Sequence, residues 1–92
     1  MATTIEAGRD LTYHALRLFA DGQDAIREVT MAKLATQRAA FDLMDTCLQI
    51  HGGYGYMKEY EIERAYRDVR LNRIGAGTDE VMLEVIGKSF GI

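Results

Sequence analysis

The sequence contains no proline and no tryptophan, and its only cysteine is Cys47. A single cysteine cannot form an internal disulfide, which fits a reducing compartment and predicts a cytoplasmic protein. No apolar run approaches the roughly 20 residues that a membrane-spanning helix needs. The first ten residues, MATTIEAGRD, also lack the basic start and apolar centre of a secretory signal. We therefore expect neither secretion nor a membrane partner.

The chain also has no excess of positive charge, with 11 lysines and arginines against 14 acidic residues. The formal net charge of −3 provides no basic field for phosphate backbones, so we expect no nucleic-acid partner. The paired Glu-x-x-His motifs of metal-binding bundles are missing, and His14 and His51 share no recognisable ligand spacing, which predicts no metal site. The hydrophobic fraction of 48% is too high for a disordered chain, and 92 residues suffice for one domain with a thin core.

Apolar residues recur at spacings of three and four, which predicts amphipathic helices over about residues 4–20, 25–51 and 58–74, and a fourth helix after Thr78. Asp24 and Thr78 are predicted to cap the second and fourth helices. No strand alternation and no fixed repeat is present. The predicted fold is therefore all-α, an antiparallel up-and-down four-helix bundle over residues 1–92.

The helical period also predicts which residues face inward. The predicted stripe of the second helix is Ala25, Val29, Ala32, Thr36, Ala40, Leu43, Cys47 and Ile50. The predicted buried edge of the fourth helix is Val81, Met82, Val85, Ile86 and Phe90. On the third helix, Glu63 with Arg67 and Arg64 with Asp68 are predicted to form two ion pairs at a spacing of four residues.

The stretch QIHGGYGY, residues 49–56, follows directly on the second helix. One glycine suffices to end a helix, and a helix stop with a turn is the favoured interpretation from spacing alone. The clustered glycines also allow a second interpretation, in which a ligand or partner approaches bared backbone. His51 is expected to contact the last carbonyls of the helix.

A second glycine-rich break, IGAGTDE at residues 74–80, leads into the fourth helix. Simple capping is again the favoured interpretation. The alternative is that free backbone N–H groups at a helix N-terminus bind an anion or an electron-rich ligand edge.

In this order, QIHGGYGYMKEYEIERAYRD and IGAGTDEV resemble the C-terminal helical domain of the flavin-dependent acyl-CoA dehydrogenases. The match is specific from Gln49 to Glu80, and the preceding helices fit the same domain. The family reaction removes a proton alpha to the acyl-CoA carbonyl and transfers hydride from the beta carbon to FAD. The resemblance implies an acyl-CoA substrate, an electron-transferring flavoprotein as partner, and a homo-oligomer.

The resemblance also implies site residues. Contact with FAD bound mainly by a neighbouring subunit is implied for Gln49, Ile50, His51, Gly52 and Gly53. Contact with FAD within the same subunit is implied for Thr78, Asp79 and Glu80. Ala76 and Gly77 would lie beside the acyl thioester.

The chain departs from the family pattern at three positions. Many members have the catalytic glutamate where this chain has Ala76, and alanine cannot act as a base. IGAGT instead resembles the isovaleryl-CoA and long-chain branches, whose base lies on an earlier helix outside this chain, so no catalytic residue is predicted here. The family usually has proline at the position of Glu61, and serine is common at that of Asp79.

Family enzymes also contain an N-terminal helical domain and a middle β-domain, which this chain lacks. We therefore expect an isolated C-terminal domain that is inactive alone. The alternative hypothesis is a non-enzymatic helical module that self-associates through its uncovered apolar faces.

Overall fold

The computed structural model describes all residues from 1 to 92. It contains four α-helices and no strand, which confirms the all-α prediction. The helices are α1 (Ala2–Ala20), α2 (Ile26–Ile50), α3 (Glu61–Leu71) and α4 (Asp79–Ser89), and a 3₁₀ turn (Gly52–Tyr56) follows α2.

The long helix α2 is the element against which every other helix packs, while α1, α3 and α4 make no comparable contact with one another. At 1.5 Å per residue, its 25 residues span about 37 Å. The molecule measures 47 × 24 × 18 Å, and its radius of gyration is 15.5 Å, against about 12 Å for a compact domain of this length. The fold is thus elongated along α2.

Contacts along α2 show that α3 and α4 follow one another on the same side of α2. Tyr66 of α3 packs on Phe41, with ring centroids 5.4 Å apart. Further along, Asp79 at the start of α4 bonds Arg38, and Ser89 at its end bonds Arg27. Both helices therefore run antiparallel to α2, with α3 beside its C-terminal half and α4 beside its N-terminal half. The four helices therefore form three antiparallel rows. These are α1, α2, and α3 followed by α4, and the loop 72–78 separates the two helices of the third row.

Helix α1 packs against the other side of α2 through small residues. A Cβ added at Gly8 would lie 3.3 Å from the Thr36 methyl group, so the glycine sets how closely the two helices approach. Phe19 and Val29 line the same groove further along, which makes α1 antiparallel to α2 as well.

Very little of the chain is buried, because three rows of helices side by side leave broad helix faces exposed to solvent. The buried residues are Ala15, Ala25, Thr30, Ala32, Gly55 and Asp79. Four residues predicted to face the core are exposed instead, so that prediction was wrong for Val29, Ile50, Val81 and Phe90. Large exposed apolar patches of this kind are typical of surfaces that other protein covers.

The third helix is shorter than predicted. It begins at Glu61 because Tyr60 has extended backbone angles (φ −98°, ψ 134°), and it ends at Leu71. Glu63 and Arg67 form the predicted ion pair at 3.0 Å. The predicted Arg64–Asp68 pair was wrong, since no ion pair joins those side chains.

Thr78 caps α4 as predicted, with its Oγ1 accepting a hydrogen bond from the Val81 N–H at 3.3 Å. Asp24 is one residue too early to cap α2, where the N-cap residue is Ala25. Its Oδ1 nevertheless accepts a hydrogen bond from the Ile26 N–H at 3.2 Å, so it supports the start of the helix from outside.

Candidate functional site

The end of α2 and the 3₁₀ turn present an exposed strip, residues 49–53. Within it, His51 Nδ1 lies 2.8 Å from the carbonyl oxygen of Cys47. The ring nitrogen that makes this contact must carry the proton, because a carbonyl oxygen only accepts. The prediction that His51 contacts the last carbonyls of the helix is confirmed.

The three glycines of this strip and turn differ in whether the structure requires glycine at their position. Gly55 is buried, and a Cβ there would lie 2.6 Å from the Leu48 carbonyl oxygen, so the turn could not approach α2 with any side chain at that position. Gly52 has a left-handed backbone (φ 60°), which glycine adopts without steric cost. Gly53 has neither constraint, because its φ is not positive and an added Cβ would meet nothing within 4 Å.

An aromatic cluster, defined by His51, Tyr54 and Tyr60, borders the glycines. The rings of Tyr54 and Tyr60 stack with centroids 5.1 Å apart, and the His51 ring meets Tyr60 edge-on at 6.5 Å. Sequence reasoning missed this cluster, although the tyrosines of GGYGY and KEY were visible. The stack lies in the chain reversal between α2 and α3, beside the exposed glycine backbone.

The loop 72–78 carries the second predicted set of residues. Ala76 is exposed and has a left-handed backbone (φ 55°), and it is the only non-glycine residue that does. Gly77 follows with φ 104°, and a Cβ there would come within 2.5 Å of the Met82 terminal methyl group. The Lys33 ammonium donates to the carbonyl oxygens of Asn72 and Gly77.

The N-terminus of α4 offers fewer free donors than the sequence pattern suggests. The Asp79 N–H donates to the Arg73 carbonyl at 3.2 Å, and the Val81 N–H donates to Thr78 Oγ1. The Glu80 N–H has no acceptor within the chain, and the Glu80 side chain is exposed. Within the first turn of α4, the Glu80 N–H is therefore available to an external ligand, and the N–H groups of Ala76, Gly77 and Thr78 just before the helix also have no acceptor.

Asp79 points inward, where its carboxylate is shared by two arginines. Its Oδ2 accepts hydrogen bonds from Arg38 Nε at 3.0 Å and from Arg73 Nε at 2.9 Å, and Arg73 Nη2 forms an ion pair with it at 2.7 Å. Burial alone raises the pKa of Asp79, but the hydrogen bonds and positive charges of Arg38 and Arg73 outweigh it and hold the pKa below its ordinary value of 3.8. The side chain is 7% exposed, which leaves it little surface for any other contact.

The two sets of candidate residues lie at different points along α2. Ala76, Gly77, Thr78, Asp79 and Glu80 lie together near Lys33 and Arg38. Gln49 is 11 residues beyond Arg38, which corresponds to about 16 Å along the helix axis. Within one chain, the glycine strip and the loop therefore do not come together.

No helix is both long enough and apolar enough to cross a membrane.

The family model described as "Acyl-CoA dehydrogenase, C-terminal domain" matches residues 1–91. Among sequence relatives, the chain is 44% identical over 89 residues to a 3-(aryl)acrylate reductase of Clostridium sporogenes, covering 97% of this chain and 24% of that protein. It is 43% identical over 86 residues to the caffeyl-CoA reductase-Etf complex subunit CarC of Acetobacterium woodii, covering 94% of this chain and 23% of that protein.

Solved structures give the same relationship. The acyl-CoA dehydrogenase of Geobacillus kaustophilus superposes with a TM-score of 0.96 at 39% identity, covering 100% of this chain and 24% of that one. The FAD complex of PigA superposes with a TM-score of 0.93 at 27% identity, covering 99% of this chain and 24% of that one. The chain thus spans about a quarter of the length of the proteins it matches.

Proposed function

The chain belongs to the acyl-CoA dehydrogenase C-terminal domain family, and from that premise we propose that it supplies two half-sites for FAD and takes part in oxidoreduction of an acyl-CoA thioester. One half-site is the strip of Gln49, Ile50, His51, Gly52 and Gly53. The other is the start of α4, with Thr78, Asp79 and Glu80.

The observation that carries this proposal is Gly53. Its backbone lies bare although no turn geometry and no packing contact requires glycine there. A surface that a ligand approaches closely supplies the missing reason. The two half-sites lie about 16 Å apart along α2, and the resemblance implies that the first of them meets a flavin held mainly by a neighbouring subunit.

At the second half-site, the free Glu80 N–H at the positive end of α4 suits an electron-rich edge of a bound flavin. Thr78 is committed to capping and Asp79 to its arginines, so we assign the contact there to backbone and to the exposed surface of Glu80. FAD, when bound, would accept the hydride, and this chain would bind and orient it.

Ala76 and Gly77 would lie beside the thioester, where their left-handed backbone exposes peptide groups and no side-chain acid or base. We propose that the catalytic base comes from outside these 92 residues, as in the isovaleryl-CoA and long-chain branches. That branch assignment rests on IGAGT alone, since the relatives include reductases of other acyl groups.

We propose an electron-transferring flavoprotein as the electron partner, because one relative is named as a subunit of a reductase-Etf complex. We further propose that the domain works in a homo-oligomer, in which exposed side chains such as Leu16, Phe19 and Val29 are covered by other protein. A cytoplasmic location is proposed from the single cysteine. No observation favours the non-enzymatic module over this function.

A domain exchange tests the proposal. Residues 1–92 would replace the matching quarter of the Geobacillus kaustophilus enzyme, and the purified chimera would be assayed for its visible flavin absorption. We expect the chimera to retain FAD and Gly53→Ala to weaken that binding. Gly87→Ala is the matched control, because Gly87 also has open space around it but lies in α4, outside both half-sites. An oligomeric chimera that binds no FAD would refute the proposal.

A further inference from the structure

The loop 72–78 joins α3 to α4, which do not pack on each other, and it lies beside Lys33 and Arg38 of α2. We propose that Lys33 and Asp79 are positioning residues that fasten the two ends of this loop to α2 and so fix the backbone of Ala76 and Gly77. The proposal rests on the proposed function, in which that backbone lies beside the acyl thioester.

Lys33 joins both ends of the loop. Its ammonium donates to the carbonyl oxygen of Asn72, where α3 ends, and to that of Gly77, just before α4. A cation is also electrostatically favoured at the C-terminal end of α3. Lys33 itself lies in the N-terminal third of α2, so both carbonyls are bonded to one residue of that helix.

Asp79 ties the same loop to α2 from its other side. Its carboxylate bonds Arg38 of α2 and Arg73 of the loop, while its own N–H bonds the Arg73 carbonyl. The side chain is nearly buried, which raises the pKa of Asp79, but Arg38 and Arg73 lower that pKa more, so the carboxylate stays charged at neutral pH. Three charged groups therefore meet here, Asp79 with Arg38 and Arg73, while Lys33 bonds only backbone carbonyl oxygens of the loop.

Capping of α4 does not explain this arrangement. Thr78 already caps the helix with its own hydroxyl group, so the Asp79 carboxylate is not needed for that purpose. Between the two fastened ends, Ala76 holds a left-handed backbone, which a non-glycine residue keeps only where its surroundings enforce it. The contacts of Lys33 and Asp79 are the enforcing contacts.

Amide NMR spectra and hydrogen exchange of the 92-residue chain test the proposal without flavin or acyl-CoA. We expect Asp79→Asn to move the amide signals of Ala76 and Gly77 and to speed exchange at the start of α4 by about tenfold. Glu63→Gln is the matched control, because it also removes one carboxylate from an ion pair with arginine. It should leave the Ala76 and Gly77 signals in place.

Two further measurements keep the proposal testable if Asp79→Asn does not fold. Lys33→Met removes the ammonium but keeps the apolar stem, and it should also move the Ala76 and Gly77 signals. Acidification of the unaltered chain should move them with a midpoint below pH 3.8, when Asp79 takes up a proton. Signals that stay fixed in the folded variants or through the acid titration would overturn the proposal.

A purely structural role for Asp79 would lower the thermal midpoint and leave the Ala76 and Gly77 signals in place, which also counts against the proposal. If the Ala76 and Gly77 signals move as expected but the chimera binds no FAD, the proposed function is refuted and the positioning role is retained.

Discussion

Gly55→Ala should destabilise the chain far more than the same change two residues earlier. A Cβ at Gly55 would lie 2.6 Å from the Leu48 carbonyl oxygen and 3.0 Å from the Leu48 Cγ. Carbon atoms do not approach an oxygen that closely, so the 3₁₀ turn would have to move away from α2 by about 0.4 Å or more. The obstacle is helix backbone, which cannot rotate aside as a side chain can.

Overpacking of this kind costs about 1–3 kcal/mol. Replacing glycine also lowers the entropy of the unfolded chain, which returns about 0.4–1 kcal/mol. The expected net loss in the free energy of unfolding is about 1–2 kcal/mol. For a chain of this size that corresponds to a fall in Tm of roughly 4–16 °C.

Thermal unfolding followed by circular dichroism measures the difference. Gly53→Ala is the matched control, since its added methyl group meets nothing within 4 Å and its φ is not positive. It should leave Tm unchanged or raise it by a few degrees. Equal Tm values for Gly55→Ala and Gly53→Ala would refute the claim that only Gly55 sets the approach of the turn to α2.

Three other results are expected. Ala76→Gly should raise the free energy of unfolding by about 0.5–1 kcal/mol in urea titration, because it relieves a left-handed alanine; a loss would contradict this. The contribution of the Asp79 ion pairs should be complete above pH 3.8 and decline as the pH falls through the lower pKa of the folded chain, and Asp79→Asn should remove this part of the acid dependence. The isolated chain should bind FAD more weakly than micromolar and turn over no acyl-CoA with an artificial acceptor; stoichiometric submicromolar binding, or turnover, would show that one chain holds a complete site.

Local features of the fold were predictable from sequence. The four helices follow from the period of three to four residues, and the Thr78 cap and the Glu63–Arg67 pair follow from short-range spacing. The third helix was predicted to begin too early because none of Lys58, Glu59 and Tyr60 is of a type that prevents helix formation. Their extended or turn conformation is set by the chain reversal after α2.

For the candidate site, the sequence names residues but does not predict the bonds between them. The glycine motifs marked residues 49–53 and 76–80, yet nothing local shows that Asp79 bonds Arg38, which lies 41 residues earlier in the chain. The different roles of Gly53 and Gly55 were equally hidden, because they depend on which glycine meets Leu48. Burial of Val29 and Phe90 was predicted wrongly, since the helical period shows which face is apolar but not whether anything covers it.

The packing of every helix on α2 alone also determines how the chain comes apart. Because α1 shares no contact with α3 or α4, detaching it breaks only its contacts with α2 and leaves the other side of α2 in place. Unfolding of this domain should therefore lose cooperativity, with α1 opening at a lower free energy than α2. Protein that covers the exposed faces of α1 and α2, as in the proposed homo-oligomer, would then make the domain unfold as one unit.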